Sequence, residues 1–103
     1  MSKIRIGASE HTFCDASESW IIQQVHERQK DGQHVCVTVI LKSGSVDMVL
    51  ATPQCPRGHG GGRHPNKKEE EIFAIWASEH LNEANWTAGN LVAFVKRAQR
   101  LVC

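Results

Sequence analysis

The chain has 103 residues, enough for one domain with a single modest hydrophobic core. An apolar fraction of 41% with a charged fraction of 22% excludes a wholly disordered chain. The formal net charge is +1, so bulk charge gives no argument for a nucleic-acid-binding or membrane-binding protein.

The chain has no apolar stretch as long as a signal-peptide core or a membrane span, so we expect a cytoplasmic protein. Its cysteines form no CxxC pair and no dense framework: Cys14, Cys36, Cys55 and Cys103. In a reducing cytosol we expect all four to be free thiols. Cys36 lies among valines, which favours a small, at least half-buried hydrophobic residue.

The first third of the chain predicts a short strand and a helix. Residues 3–6 alternate charged and apolar side chains, as a strand with one solvated face does. Asp15 and Glu18 have the spacing of a capping box, and Asp31-Gly32 is a stop signal. The sequence therefore predicts a helix over residues 15–31, with an apolar stripe of Ile21, Ile22 and Val25.

Residues 34–51 predict a β-hairpin, because apolar residues alternate on both sides of Ser43-Gly44. A two-residue turn there pairs Leu41 with Val46, Val39 with Met48 and Val37 with Leu50, which places all the large apolar residues on one face. Pro53 cannot extend the ladder, so pairing should stop near Ala51. The opposite face is mixed, and we expect it to be partly open or paired with another subunit: Cys36, Thr38, Ile40, Asp47 and Val49.

Two further helices follow from capping signals. Asn66 and Glu69 form a capping pair before an apolar run, and His80 on its flank is typical of a half-buried packing residue. Thr87 is an N-cap inside a hydrophobic staple of Trp86 and Leu91. The last helix is amphipathic, with Leu91, Phe94, Val95, Ala98, Leu101 and Val102 opposite Lys96, Arg97 and Arg100.

The predicted order is β-α-β-β-α-α, which gives an α+β fold. We expect a small three-stranded sheet that contains the hairpin and packs against helices on one face. Residues 1–103 form one domain, with a long loop over residues 52–66. This loop has three prolines, four glycines and no apolar residue except Cys55. Loops of this length are usually functional or disordered.

Basic residues are concentrated in residues 52–68, a segment that contains no aspartate or glutamate. Glycines let a backbone approach a ligand, and helix N-terminal N–H groups attract anions. An anion or partner site would use Arg57, His59, Arg63, His64, Lys67 and Lys68. Against this, the segment matches no phosphate-binding motif, and the run Glu69 to Glu71 would repel a phosphate. The alternative is a flexible surface loop whose charges give solubility.

Cys55, His59 and His64 are weak zinc candidates, because thiolate and imidazole suit tetrahedral zinc but the spacing lacks a preformed CxxC pair. Cys55 with either histidine as base is a conceivable nucleophile, yet a triple-glycine loop is poorly suited to aligning it. We therefore predict no metal site, no catalytic residue and no cofactor.

The sequence favours a small non-enzymatic binding or assembly module. Its partner is a second copy or another protein, contacted through the basic loop and the open sheet face. The alternative is a nucleic-acid-binding protein, which would use the loop together with Lys96, Arg97 and Arg100. We expect no membrane association.

Overall fold

A computed structural model describes residues 1–29, 35–42, 47–56 and 66–103. Four strands, a 3-10 turn and three helices follow in chain order: β1 (Lys3–Ile6), β2 (Ser9–Thr12), the 3-10 turn (Phe13–Asp15), α1 (Glu18–Gln29), β3 (Val37–Leu41), β4 (Met48–Ala51), α2 (Lys67–Ser78) and α3 (Ala88–Val102). The strands form one antiparallel sheet in the order β2-β1-β3-β4. The α+β class is confirmed. None of the helices described is long and apolar enough to cross a membrane.

The prediction of three strands is wrong, because β2 adds a fourth. It pairs with β1 across a two-residue turn, with Ser9 opposite Ile6. Gly7 opens that turn at φ +60°, a conformation that favours glycine, and a Cβ there would displace the Arg28 side chain, whose Nε lies 2.1 Å from that position. The sequence of β2 is Ser-Glu-His-Thr, which has no apolar residue and therefore no alternation to detect.

One face of the sheet is buried and carries the apolar side chains that the alternation predicted. Ile4 and Ile6 of β1 are fully buried, as are Val37 and Val39 of β3. The helices cover this face with a core that includes Ile21, Val25, Ile72, Trp76, Leu91, Phe94, Val95 and Ala98. At its centre the Trp76 and Phe94 rings meet edge to face, with centroids 5.0 Å apart.

The predicted register of β3 and β4 is wrong by two residues. Leu41 lies opposite Met48, and Val39 lies opposite Leu50. The proposed Ser43-Gly44 turn lies outside the described residues. Because side chains alternate with a period of two, a shift of two residues leaves every side chain on its predicted face. Pairing does end at Ala51, as expected from Pro53.

The capping predictions are confirmed for two helices and wrong for the first. Asn66 and Thr87 each accept a hydrogen bond from the N3 backbone of their helix within a complete capping box. In α1, the N–H of Trp20 donates to Ser17 Oγ at 3.2 Å, and the N–H of Ile21 donates to the Ser17 carbonyl. The helix therefore begins after Ser17, while Asp15 belongs to the preceding 3-10 turn.

The prediction of free thiols is wrong, since all four cysteines form disulfides: Cys14–Cys103 and Cys36–Cys55. A turn in which the Cys55 N–H donates to the Thr52 carbonyl returns Cys55 to the start of β3. The free-thiol prediction assumed a reducing cytosol, whereas disulfides form and persist in oxidising environments. The cytoplasmic location itself remains an expectation.

Candidate functional site

Only two of the predicted basic site residues have a described position. Lys67 and Lys68 are exposed in the first turn of α2, at the rim of a pocket of about 450 Å³. Lys42 also lines this pocket, whose apolar floor is formed by Leu41, Ile72 and Val102. The remaining predicted residues lie outside the described part of the chain: Arg57, His59, Arg63 and His64.

The charges in this pocket are mixed. Glu69, only 4% exposed, also lines it, and its carboxylate accepts the Asn66 N–H at 2.9 Å in the capping box. The Lys42 ammonium is 2.7 Å from the Asp47 carboxylate. The pocket thus places a buried carboxylate beside the lysines, which weakens the case for an anion at this helix end.

The basic face of α3 is largely taken up by ion pairs within the molecule. Lys96 lies 2.7 Å from Glu18 of α1, and Arg97 lies 3.2 Å from Glu79 just beyond α2. Arg100 shares a surface pocket with Glu71. The two ion pairs of Lys96 and Arg97 reduce the positive charge that this face offers to a nucleic acid.

Cys55 is held by its disulfide to Cys36, so in this form it offers neither a thiolate ligand nor a nucleophile. Its sulfur lies 3.5 Å from the Val37 carbonyl oxygen, packed against the start of β3. Over the described ranges, no group of three or more His, Cys, Asp and Glu side chains is placed to hold a metal ion.

The face of the sheet away from the helices divides into a charged half and an apolar half. On the β1–β2 side, Arg5 donates to the Glu10 carboxylate at 3.0 Å, and Lys3 lies 3.8 Å from the same group. The Arg5 hydrogen bond, assisted by the Lys3 charge, lowers the pKa of Glu10. On the β3–β4 side, Ile40 and Val49 lie opposite each other and are half-buried.

The two edge strands differ in the same way. β2 carries Glu10 and otherwise polar residues, whereas β4 reads Met-Val-Leu-Ala without a charge or a proline. The Thr52 N–H donates to the Val37 carbonyl at 3.0 Å, which sets the phase of the antiparallel ladder. Met48 and Leu50 therefore turn their backbone groups toward β3, as the N–H of Thr52 does. Val49 and Ala51 turn theirs outward, where no described strand pairs with them.

A groove of about 460 Å³ runs beside this free edge, between β4 and α2. It is lined by Val49, Leu50, Ala51, Phe73, Trp76, Ala77 and Asn82. Phe73 is 38% exposed, which is unusual for a large aromatic side chain. Asn82 is fixed by accepting the Trp76 indole N–H at 2.9 Å. The groove therefore offers an apolar wall next to unpaired backbone groups.

An edge of this kind recognises a polypeptide backbone, because it presents N–H and C=O groups at strand spacing beside an apolar wall. The sequence predicted the open face but not this edge, since strand order depends on how distant segments assemble. The absence of charge from residues 48–51 is the one signal that pointed to it. In comparisons by sequence and by structure, no protein-family model, curated protein or solved structure matches this chain.

Proposed function

We propose that this chain is a non-enzymatic binding and assembly module that adds a strand of another polypeptide to the outer edge of β4. The observation that carries the proposal is the contrast between the two edges of the sheet. Proteins usually protect exposed edges with charges, prolines or bulges. β2 has such protection in Glu10, and β4 has none between Met48 and Ala51.

The bound strand would form up to four backbone hydrogen bonds, two with Val49 and two with Ala51. Its alternate side chains would reach the groove, where Phe73 supplies exposed apolar surface. The site is short, because Asp47 precedes the strand and Pro53 follows it. Specificity would come from the apolar contacts with Phe73 and Ala77, since backbone hydrogen bonds are common to all strands.

A synthetic peptide of residues 47–53, Asp-Met-Val-Leu-Ala-Thr-Pro, is the probe for strand addition. Binding should slow amide hydrogen exchange at Val49 and Ala51. The variant Ala51→Pro should abolish binding while retaining the fold, because its lost N–H points away from β3.

The matched control is Thr12→Pro on the opposite edge. The Phe13 N–H donates to the Ser2 carbonyl, so the Thr12 N–H also points outward, and φ of −63° already suits proline. Thr12→Pro should bind the peptide like the parent protein. Failure of the parent to bind the peptide at concentrations where the parent is monomeric, or equal binding by a folded Ala51→Pro variant, would contradict the proposal.

Nucleic-acid binding stays a prediction that no contact in the described residues favours. Lys96 and Arg97 are engaged by acids, and the lysines of α2 stand beside Glu69. Nucleic-acid binding would be recognised by an affinity that falls steeply as the salt concentration rises.

A further inference from the structure

We infer that the polypeptide which occupies the β4 edge is a second copy of this chain, paired antiparallel about a two-fold axis at Leu50. The inference rests on the proposed function and names its partner. Such an assembly would join two four-stranded sheets into one continuous sheet of eight strands.

The register follows from which backbone groups face outward. In an antiparallel pair, the outward residues of one strand must meet outward residues of the other. Placing Val49 opposite the partner's Ala51 satisfies both residues of both copies with four hydrogen bonds. A shift that pairs Ala51 with the partner's Ala51 would set Val49 against the partner's Pro53, which has no N–H. The pairing centred on Leu50 therefore uses the whole free edge.

The helix beside β4 supports the same axis. α2 begins near Leu41, at the pocket that Lys67 and Lys68 line, and β4 begins opposite Leu41. Both elements end near the groove that includes Asn82, so α2 runs beside β4 in the same direction. Phe73 and Ala77 line that groove together with Leu50. A two-fold axis at Leu50 would therefore bring the exposed Phe73 and Ala77 of one copy toward the same residues of the partner.

Charge does not oppose this arrangement. Glu70 precedes Phe73 by one helical turn, and His80 follows Ala77 just beyond the end of α2, and all four residues are exposed. Antiparallel α2 helices would bring Glu70 toward the partner's His80, whose ring contacts Glu83 of its own chain. The net charge of +1 gives little repulsion between copies, and Asp47 is already paired with Lys42.

Sedimentation velocity across a wide concentration range tests the assembly. The parent protein and Thr12→Pro should form dimers, whereas Ala51→Pro should remain monomeric. A folded Ala51→Pro variant that still dimerises would overturn the inference. A parent protein that binds the peptide but stays monomeric would overturn it while leaving the proposed function standing. If the parent is monomeric and binds no peptide, both fail, and slow exchange at Val49 and Ala51 would then show that the chain covers its own edge.

Charge complementation tests the register. Val49→Lys and Ala51→Glu each place one charge on the open face, opposite an apolar residue of the partner. Mixed together, the two variants should form a heterodimer with lysine opposite glutamate. We expect it to associate roughly two- to fivefold more tightly than either variant with itself. Equal association of the mixture and the separate variants would exclude the register centred on Leu50.

Discussion

At the scale of single residues, His80 shows how a local backbone conformation overrides a pattern of side chains. Its position beside an apolar stripe predicted a half-buried packing residue, yet it is exposed, with φ of 61°. The His80 N–H donates to the Ala77 carbonyl and the Leu81 N–H donates to the Trp76 carbonyl, which is a Schellman motif. His80 therefore holds the left-handed position that usually belongs to glycine.

Replacing His80 should reveal this backbone cost. We expect His80→Gly to be more stable than His80→Ala by about 1 kcal/mol, because only glycine adopts the left-handed conformation without a Cβ clash. Both variants remove the imidazole and its contact with Glu83, so that contact cancels in the comparison. Urea denaturation measures the difference. Equal stability of the two variants would show that no strain is stored at this position.

Local signals account for the residues that the sequence placed correctly. Asn66 and Thr87 were identifiable because a cap and its helix are contiguous in the chain. In α1, Asp15 and Ser17 both precede a helical pattern, and the 3-10 turn that decides between them has no clear signature. The pairing of Cys14 with Cys103 depends on where α3 ends in space, which no spacing of cysteines can give.

At the scale of elements, Thr52 explains how β4 ends. It is fully buried, and its Oγ1 accepts the Val37 N–H at 3.0 Å while its own N–H donates to the Val37 carbonyl. The side-chain hydroxyl thus replaces the backbone carbonyl that a longer ladder would offer. This lets the chain turn away at Pro53 without leaving a buried donor unpaired.

The variants Thr52→Val and Thr52→Ser separate this hydrogen bond from packing. Valine keeps the shape but leaves the Val37 N–H without its acceptor, which should cost about 1–3 kcal/mol. Serine keeps the hydroxyl and loses one methyl group, at about 1 kcal/mol. Thermal denaturation gives the stabilities, and amide exchange at Val37 should accelerate only in Thr52→Val. Wild-type stability of Thr52→Val would contradict this role.

Periodicity explains which elements could be predicted. Apolar spacing located α2, α3, β1 and β3, because one face of each is buried against the same core. It could not locate β2, which buries no apolar side chain and is defined by its pairing with β1. It also could not fix the register of β4, since faces repeat every second residue and a shift of two residues is invisible to the pattern.

At the scale of the whole molecule, the two disulfides constrain the chain over very different lengths. Cys14 and Cys103 are 89 residues apart, so their bond connects the 3-10 turn with the end of α3 and closes most of the chain. Gln99 reinforces this junction by donating to the carbonyls of Phe13 and Ala16 at 2.9 and 3.0 Å. Cys36 and Cys55 are only 19 residues apart and secure the turn after β4.

Removing each disulfide by paired Cys→Ser substitution should therefore have unequal effects. A cross-link restricts the unfolded chain more when it closes a longer loop. By that reasoning the loss of Cys14–Cys103 should cost roughly 4–5 kcal/mol and the loss of Cys36–Cys55 roughly 3 kcal/mol. Urea denaturation of the two double variants under oxidising conditions measures both values.

The two disulfides differ in the native contacts that surround them, so their removal should affect the folded state differently. Because Gln99 and the buried face of α3 hold the C-terminal helix in place without the Cys14–Cys103 bond, its removal should act mainly on the unfolded chain. Removal of Cys36–Cys55 should also loosen residues 52–55, which would raise amide exchange at Thr52 and Cys55. If removing Cys36–Cys55 costs more stability than removing Cys14–Cys103, then the local contacts that Cys36–Cys55 holds at the end of β4 matter more than the length of the loop that each disulfide closes.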